Sequence, residues 1–448
     1  MSELIIIGGG LAGTEAAWQA AERGIKVQLY EMRPIRTTPA HKTSLLGELI
    51  CSNSLGSKLF DRPSGLLKSE LKILGSFILN CAEKYAVPAG SSLAVDRYAF
   101  ASEVTERISL HPNINVIREE MEFIPSKPCI IASGPLTSDT LTDNIIQFTG
   151  IDNLFFYDAI APIIEVDKID YSLTFFASRF SRGENENGDY INCPFNKNEY
   201  ETFVEMLCSA ERIPLKNFEN DIKKGISTKI NDYFEACLPV EIIASRSKEA
   251  LAFGPMRPVG VTDPHSNKQP YAIVQLRQDN LAASLYNLVG FQTNLTFPEQ
   301  DRVFHTIPGL KKVKIIQHGQ MHRNTYLLSP MILKDSLQTR TRDNLFFAGQ
   351  ITGVEGYVGS IACGLVTGIN ASKFLTGQPV LTFPVETMIG SLCHYIANAN
   401  PDHFQPIKAN FGLLPELPST NKSKFDRSHA KAQRAMESLE FFIKENNL

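Results

Sequence analysis

The sequence predicts an α/β fold in which a parallel-sheet domain is assembled from two distant stretches of chain, with an α+β domain inserted between them. Three observations predict it. An apolar strand, a glycine turn, an alanine-rich helix and a second strand follow one another in "ELIIIGGGLAGTEAAWQAAERGIKVQLYEMRP". A similar apolar strand, glycine loop and small-residue helix recur in "NLFFAGQITGVEGYVGSIACGLVTGINAS", residues 344–372. Between them "DAIAPIIEVDKIDYSLTFFASRF", residues 158–180, alternates apolar and polar side chains, the period of an antiparallel strand.

Taken in order, Gly8, Gly10 and Gly13 fill a G-x-G-x-x-G pattern between the first strand and helix. Their roles are a tight turn, close backbone approach to a pyrophosphate, and close packing of helix on strand. Glu31 ends the second strand, where a carboxylate can accept hydrogen bonds from both ribose hydroxyls. Together these features define a Rossmann-type dinucleotide site. "CIIASGPLTS", residues 129–138, reads as a third strand crossing back beneath the cofactor. The late loop, with Gly349, Gly353, Gly356 and Tyr357, suits FAD: a second strand and helix N-terminus return to the same crevice to hold the ribityl phosphate and the flavin edge. A purely nicotinamide-binding domain has no need of it. The expected organisation is therefore an FAD-binding domain of glutathione-reductase type in two parts, 1–160 and 315–448, around an α+β insertion at 161–314. Helical stretches such as "NEYETFVEMLCSAERI" fall in the insertion.

The 448 residues are 43% hydrophobic and 21% charged with a formal charge of -4, which supplies material for two domains and excludes a disordered chain. The mild negative charge does not advertise nucleic acid, although it permits a local basic patch. The apolar start breaks into glycines after four residues and has no basic region before it, so neither a signal peptide nor a membrane span is expected, and the expected location is cytoplasmic. Eight cysteines lack a C-x-x-C pair or a Cys/His partner at zinc spacing, so no metal site is expected and most should be small buried hydrophobes. Near the C-terminus Lys422, Lys424, Arg427, Lys431 and Arg434 cluster on a helical stretch, ordinarily a solvated face.

Beyond the two glycine loops, "CSNSLGS", "PAGSSLAVDR", "FYDAIAPII", "DYINCPFN", "FEACLPVE", "FGPMRPVG", "PYAIVQLRQD", "YNLVGFQT", "GQMHRNTYL", "FAGQITGVEGYVGS" and "NANPDHFQPIKANFGLLP" together resemble the folate-dependent, FAD-containing tRNA uracil-5-methyltransferases, the TrmFO family. The resemblance covers nearly the whole chain, insertion included. The related MnmG flavoproteins, which modify wobble uridine, share the start and the late loop but are longer. The resemblance implies an enzyme that takes a one-carbon unit from 5,10-methylenetetrahydrofolate to C5 of a uridine, usually position 54 in the tRNA T loop, using FAD and electrons from NADH or NADPH. Some members act on ribosomal RNA. Two other readings stay open at this stage: an MnmG-like modifier, and a flavoprotein that binds RNA without turnover.

Uridine C5 is a poor nucleophile until a thiolate adds to C6, and a base must later remove the C5 proton. The resemblance nominates Cys51 and Cys237. Cys51 lies in a polar, turn-forming run where a buried hydrophobe is not needed, and Cys237 precedes Leu238-Pro239 and so should sit near a helix end or loop. Cys237 is assigned as the C6 nucleophile and Cys51 as the proton acceptor near the flavin, with the roles exchangeable. Cys193, also within a family block, is assigned a structural role. His322 is the candidate to stack on the pterin, with Arg323 and Asn324 for polar contacts and Tyr357 as a second stacking residue. Charge for RNA is expected from Arg246, Lys248, Arg257, Arg277, Lys424 and Arg427. Two departures from the family pattern are Gly359, where an acid is expected, and Ile50, where a polar residue is usual.

Overall fold

A computed structural model describes residues 3–38, 40–152, 154–213, 238–418 and 423–448; of Phe155, Phe156, Tyr157, His322, Arg323 and Lys424 only the backbone is described. Among the described residues the strands in chain order are β1 (Glu3–Ile7), β2 (Lys26–Tyr30), β3 (Ser54–Ser57), β4 (Ala86–Val87), β5 (Ser92–Val95), β6 (Ile114–Ile117), β7 (Cys129–Ile131) and β8 (Leu154–Ala159). They continue with β9 (Ile163–Glu165), β10 (Phe175–Ala177), β11 (Tyr190–Phe195), β12 (Ala272–Gln278), β13 (Leu285–Leu288), β14 (Ile315–Gln317), β15 (Met321–Tyr326) and β16 (Leu345–Phe347).

The first sheet is parallel throughout, in the order β16-β7-β1-β2-β6. Its central strands are apolar on both faces, which requires helices on both faces. One of these is Leu11–Glu22, and across it lies Tyr357–Leu375. Gly364 and Gly368 make that crossing possible, since a Cβ on either would lie 2.3 Å from the Ala12 carbonyl oxygen and 2.7 Å from that of Ala16 respectively. Among the described residues Tyr357–Leu375 is the one helix long and apolar enough to cross a membrane, and here it is a core helix with 83% of that stretch buried. The sheet unites residues near 5, 130 and 346, so sequence-distant strands meet as expected.

The second sheet has six strands in the order β10-β11-β12-β13-β9-β14, antiparallel at each pairing. One face carries Ile191, Cys193, Phe195, Val274 and Leu276, which pack with the helices Lys197–Ser209 and Val240–Arg246 into a core of their own. The opposite face carries Asn192, Gln275, Arg277 and Asn287, all buried. The alternating stretch 158–180 does not form one strand. It divides into β8, β9 and β10, and β8 leaves the six-stranded sheet to pair with β15. Pro162, which offers no N–H to a ladder, stands between β8 and β9.

Candidate functional site

At the C-terminal edge of the parallel sheet the glycine turn, Glu31, the 132–138 loop and residues 348–350 enclose a cleft with about 1010 Å³ of empty space, open to solvent. Gly8 holds φ +106, and a Cβ there would lie 2.4 Å from the Ala132 carbonyl oxygen; a Cβ on Gly13 would lie 1.8 Å from that of Gly8. The turn therefore accepts only glycine at both positions. The helix Leu11–Glu22 starts from Gly10 with no side-chain cap, which leaves its first amides and the positive end of its dipole directed at the cleft. These are the features a pyrophosphate requires, so the residues present fit FAD.

Glu31 lines the cleft, but its carboxylate is already engaged. Oε1 accepts from the Arg33 backbone N–H (3.1 Å) and Nε (2.8 Å), and Oε2 from Arg33 Nη2 (3.0 Å) and the Gly9 N–H (3.1 Å). Burial pushes the Glu31 carboxyl up, but the Arg33 hydrogen bonds and charge outweigh it and hold it below the usual carboxylate range. A ribose reaching Glu31 must share it with Arg33, a partner not foreseen from the sequence. Of the late-loop residues, Gly349 and Tyr357 line the cleft whereas Gly353 and Gly356 do not. Their contribution is conformational: at φ +86 and +91 they turn the chain so that Tyr357 opens the following helix at the cleft wall.

Tyr357 joins the cleft to Cys51. Its hydroxyl oxygen accepts the backbone N–H of Cys51 at 2.9 Å and of Ser52 at 3.1 Å. The Cys51 thiol points to the Ala159 carbonyl oxygen at 3.8 Å. Burial, then the charge of Asp158, pushes this thiol well above its ordinary range, against a smaller opposing effect from Arg97. Around it stand Arg97, paired with Asp279 (3.0 Å) and donating to the Leu49 carbonyl (3.0 Å), and Arg277, which donates to Asn53 Oδ1 (2.9 Å) and Ser52 Oγ (2.8 Å). Glu355 accepts from Gln350 Nε2 at 2.7 Å; burial and Asp158 push its carboxyl up to about 7.

β8 and β15 bring the expected folate residues to the same place. His322 opposes Asp158 and Met321 opposes Ala159, whose carbonyl receives the Cys51 thiol. The side chains of His322 and Arg323 lie outside the described residues. Asn324 is buried with both amide atoms unpartnered, and Arg97 Nη2 is a buried donor without a partner. Buried polar atoms are normally paired, and these stand without a protein partner.

Cys237 lies outside the described residues. Cys193 is fully buried in β11, in keeping with a structural role. Of the expected RNA contacts, Arg246, Lys248, Arg257 and Arg427 are exposed, and only the backbone of Lys424 is described. Arg277 is the exception, being buried beside Cys51, away from any phosphate at the surface. Lys431 and Arg434 are not on a solvated face either: they donate to the carbonyls of Phe411, Leu414, Pro415 and Glu416, tying the terminal helix to that loop. Gly359 is packed against Val354, whose Cγ1 would lie 2.3 Å from an added Cβ, and Ile50 lines the cleft. Among the described residues no His/Cys/Asp/Glu group could hold a metal. Arg33, Arg97, Asp158 and Glu355 carried no sequence expectation, although all four lie inside quoted stretches, the last three in "PAGSSLAVDR", "FYDAIAPII" and "FAGQITGVEGYVGS".

A glycine-cradled dinucleotide cleft on a parallel sheet, with a cysteine hydrogen-bonded to its Tyr357 wall and an inserted antiparallel sheet, places the chain in the glucose-inhibited division class. The sequence model described as Glucose inhibited division protein A matches residues 3–379. Aquifex aeolicus GidA superposes with TM-score 0.69 at 17% identity, over 98% of this chain and 75% of that one, a likeness of fold. Much nearer in sequence are proteins named "Methylenetetrahydrofolate--tRNA-(uracil-5-)-methyltransferase TrmFO": that of Anoxybacillus flavithermus is 50% identical over 99% of both chains, and that of Bacillus subtilis 51% identical over 98% of both. This chain belongs to the TrmFO family.

Proposed function

We propose that this protein is a cytoplasmic enzyme that transfers the one-carbon unit of 5,10-methylenetetrahydrofolate to C5 of a tRNA uridine, position 54 of the T loop, with FAD bound in the cleft and NADH or NADPH as reductant. The observation that carries the reading is the Tyr357 hydroxyl, which lines the dinucleotide cleft and holds the backbone of Cys51. Bound there, FAD supplies the reducing equivalents that complete the methyl group. For this the chain is organised as a flavin domain in two parts, 1–160 and 315–448, with 161–314 inserted.

The residues divide the work as follows. Gly8, Gly10 and Gly13 admit the pyrophosphate, Glu31 with Arg33 orders the ribose end, and Gly349 lets the late loop close on the cleft. His322, Arg323 and Asn324 receive the pterin, and the unpartnered Asn324 amide, one donor side and one acceptor side, supports a role in reading a heterocycle edge. Cys237 adds to C6 as the thiolate. Cys51 takes the C5 proton. Burial and Asp158 hold the resting Cys51 as a thiol, a poor standing nucleophile, so it takes the C5 proton only after its own proton has left. Glu355, whose carboxyl burial and Asp158 push up to about 7 and whose charge is felt at Cys51, is the candidate to take the thiol's own proton first.

The test is incubation with undermethylated tRNA, methylenetetrahydrofolate and reduced nicotinamide, followed by nucleoside mass analysis. Ribothymidine at position 54 is expected. Methyl found only in ribosomal RNA would overturn the tRNA assignment, and a colourless protein that cannot be reconstituted with FAD would falsify the flavin reading.

A further inference from the structure

Phe180 is the point of conflict on the surface of the inserted sheet. It is a bulky residue at φ +56, a conformation that L side chains rarely adopt, and its ring is 62% exposed. Neither feature serves the core. The loop is nevertheless pinned: the Phe180 N–H donates to the Gly260 carbonyl at 2.8 Å, and the ring rests on Gly260, where a Cβ would lie 3.0 Å from three ring carbons. Any residue but glycine at 260 would displace it. Three arginines stand at this loop, one of them over the ring. The Arg182 guanidinium lies 5.9 Å from its centroid; Arg179 donates to Gln275 Oε1 (2.9 Å) and to the Val259 carbonyl (3.0 Å); Arg257 is close enough to Arg179 for like-charge repulsion to lower the Arg179 pKa, after the larger effect of burial.

The arginines have no carboxylate partner among the described residues. Nearby acids are committed elsewhere, Glu184 to Lys58 and Asp189 to the backbone N–H groups of Gly90, Glu184 and Asn185, and only Glu186 stands exposed without such a role. Clustered cations and an exposed ring held in strain are costly in a free surface and complementary to a polyanion with unstacked bases. The cluster is also wired to the reaction centre. Arg179 is anchored on Gln275, and two residues along β12, about 7 Å, Arg277 holds Ser52 beside Cys51.

We infer that Phe180, with Arg179, Arg182 and Arg257, is a base-stacking platform for the RNA substrate: a nucleotide flanking the target uridine stacks on the Phe180 ring while the arginines take the adjoining phosphates. This rests on the reading of the protein as a tRNA-modifying enzyme. It deepens that reading by assigning the surface that presents the loop to Cys51, and a stack on one ring with phosphate contacts is the way proteins grip splayed RNA loops.

The experiment measures binding of an unmodified tRNA transcript to the flavin-loaded protein across a salt series. Phe180→Ala is expected to weaken binding about tenfold, with Phe180→Trp restoring it; the strained backbone is common to both, so restoration separates stacking from folding. Arg182→Gln with Arg257→Gln, which leaves the ring in place, is expected to lower the slope of log affinity against log salt by about two, one per lost phosphate contact. Thermal midpoints and flavin absorbance of each variant monitor the fold. Wild-type affinity and salt slope in both the alanine and the double variant would overturn the platform alone. A wild-type protein that binds no tRNA would overturn the platform and the functional reading together.

Discussion

The Tyr357 hydroxyl is the acceptor for two consecutive amides, so its removal should be felt at Cys51 rather than at the ring. Tyr357→Phe leaves the Cys51 and Ser52 N–H groups without their partner, at about 1–3 kcal/mol. The expected result is a lower denaturation midpoint together with a methylation rate reduced by at least tenfold; unchanged turnover in a well-folded variant would separate Tyr357 from the chemistry. The Cys51 thiol gives a second residue-scale prediction. Burial and Asp158 keep it protonated at neutral pH, and the thiolate is the form that alkylates. Peptide mass analysis of the ligand-free protein treated with iodoacetamide at pH 7 should find exposed Cys208 modified before Cys51. Labelling of Cys51 should increase as pH rises. At this scale part was visible in advance: Gly8, Gly10 and Glu31 line the cleft, and Cys51 is hydrogen-bonded to Tyr357 in its wall. Arg33 and Arg97 were not visible, because nothing in sequence spacing announces that a guanidinium two residues from Glu31 folds back on it, or that one 46 positions from Cys51 meets its loop.

Between elements, two contacts decide how the first domain holds together. One is the crossing of Leu11–Glu22 and Tyr357–Leu375 at Gly364. Gly364→Val would place carbon within 2.3 Å of the Ala12 carbonyl oxygen, and because that obstacle is backbone the helices must separate. A loss of about 1–3 kcal/mol is expected, with weakened FAD retention measurable by released flavin fluorescence. The other is Glu70, on the helix Pro63–Ile73, which accepts the Met388 and Ile389 N–H groups (2.7 and 2.9 Å) at the start of Met388–Asn398. Burial pushes its carboxyl up from 4.5 to about 8, against those two bonds. The folded protein then holds a proton that the unfolded chain has released between those values. The stabilising contribution is therefore complete below about 4.5 and is lost as pH rises through about 8. Urea unfolding at pH 5 and pH 8.5 should show wild type losing stability between them and Glu70→Gln losing less; equal losses would remove Glu70 as the cause.

Across the whole molecule the six-stranded sheet meets the first domain, at the residues flanking β3, β4 and β5, through polar contacts near the site. Arg277 donates across the boundary to Ser52 and Asn53, Arg97 pairs with Asp279, and the Tyr190 hydroxyl donates to the Ala89 carbonyl. Arg277→Met would strand the Asn53 oxygen and leave the Asn53 amide on the Gln278 carbonyl (2.9 Å) to hold β12 to the Cys51 loop, at a cost of about 1.5–3 kcal/mol. Calorimetry of this variant should resolve two unfolding transitions where wild type shows coupled ones, and methylation should fall even where FAD remains bound. A single transition with full activity would deny the boundary this role.

The parallel nucleotide-binding sheet, its assembly from both ends of the chain and the glycine cradle were legible in the residues themselves, whereas the place of Cys51 near the flavin came only from the family resemblance. These are local matters: a strand, a turn that only glycine can make and an amphipathic or small-residue helix are written in adjacent residues. Long-range packing was needed to divide the 158–180 alternation among two sheets, to make Arg277 a buried strut, to bind Lys431 and Arg434 to a loop, and to bring Asp158, Glu355 and Tyr357 to one thiol. Each depends on which distant strand lies alongside, through pairings such as Asp158 with His322 or Tyr190 with Arg277. Register is fixed by the burial of whole faces, and a charge pattern along the chain does not carry that information.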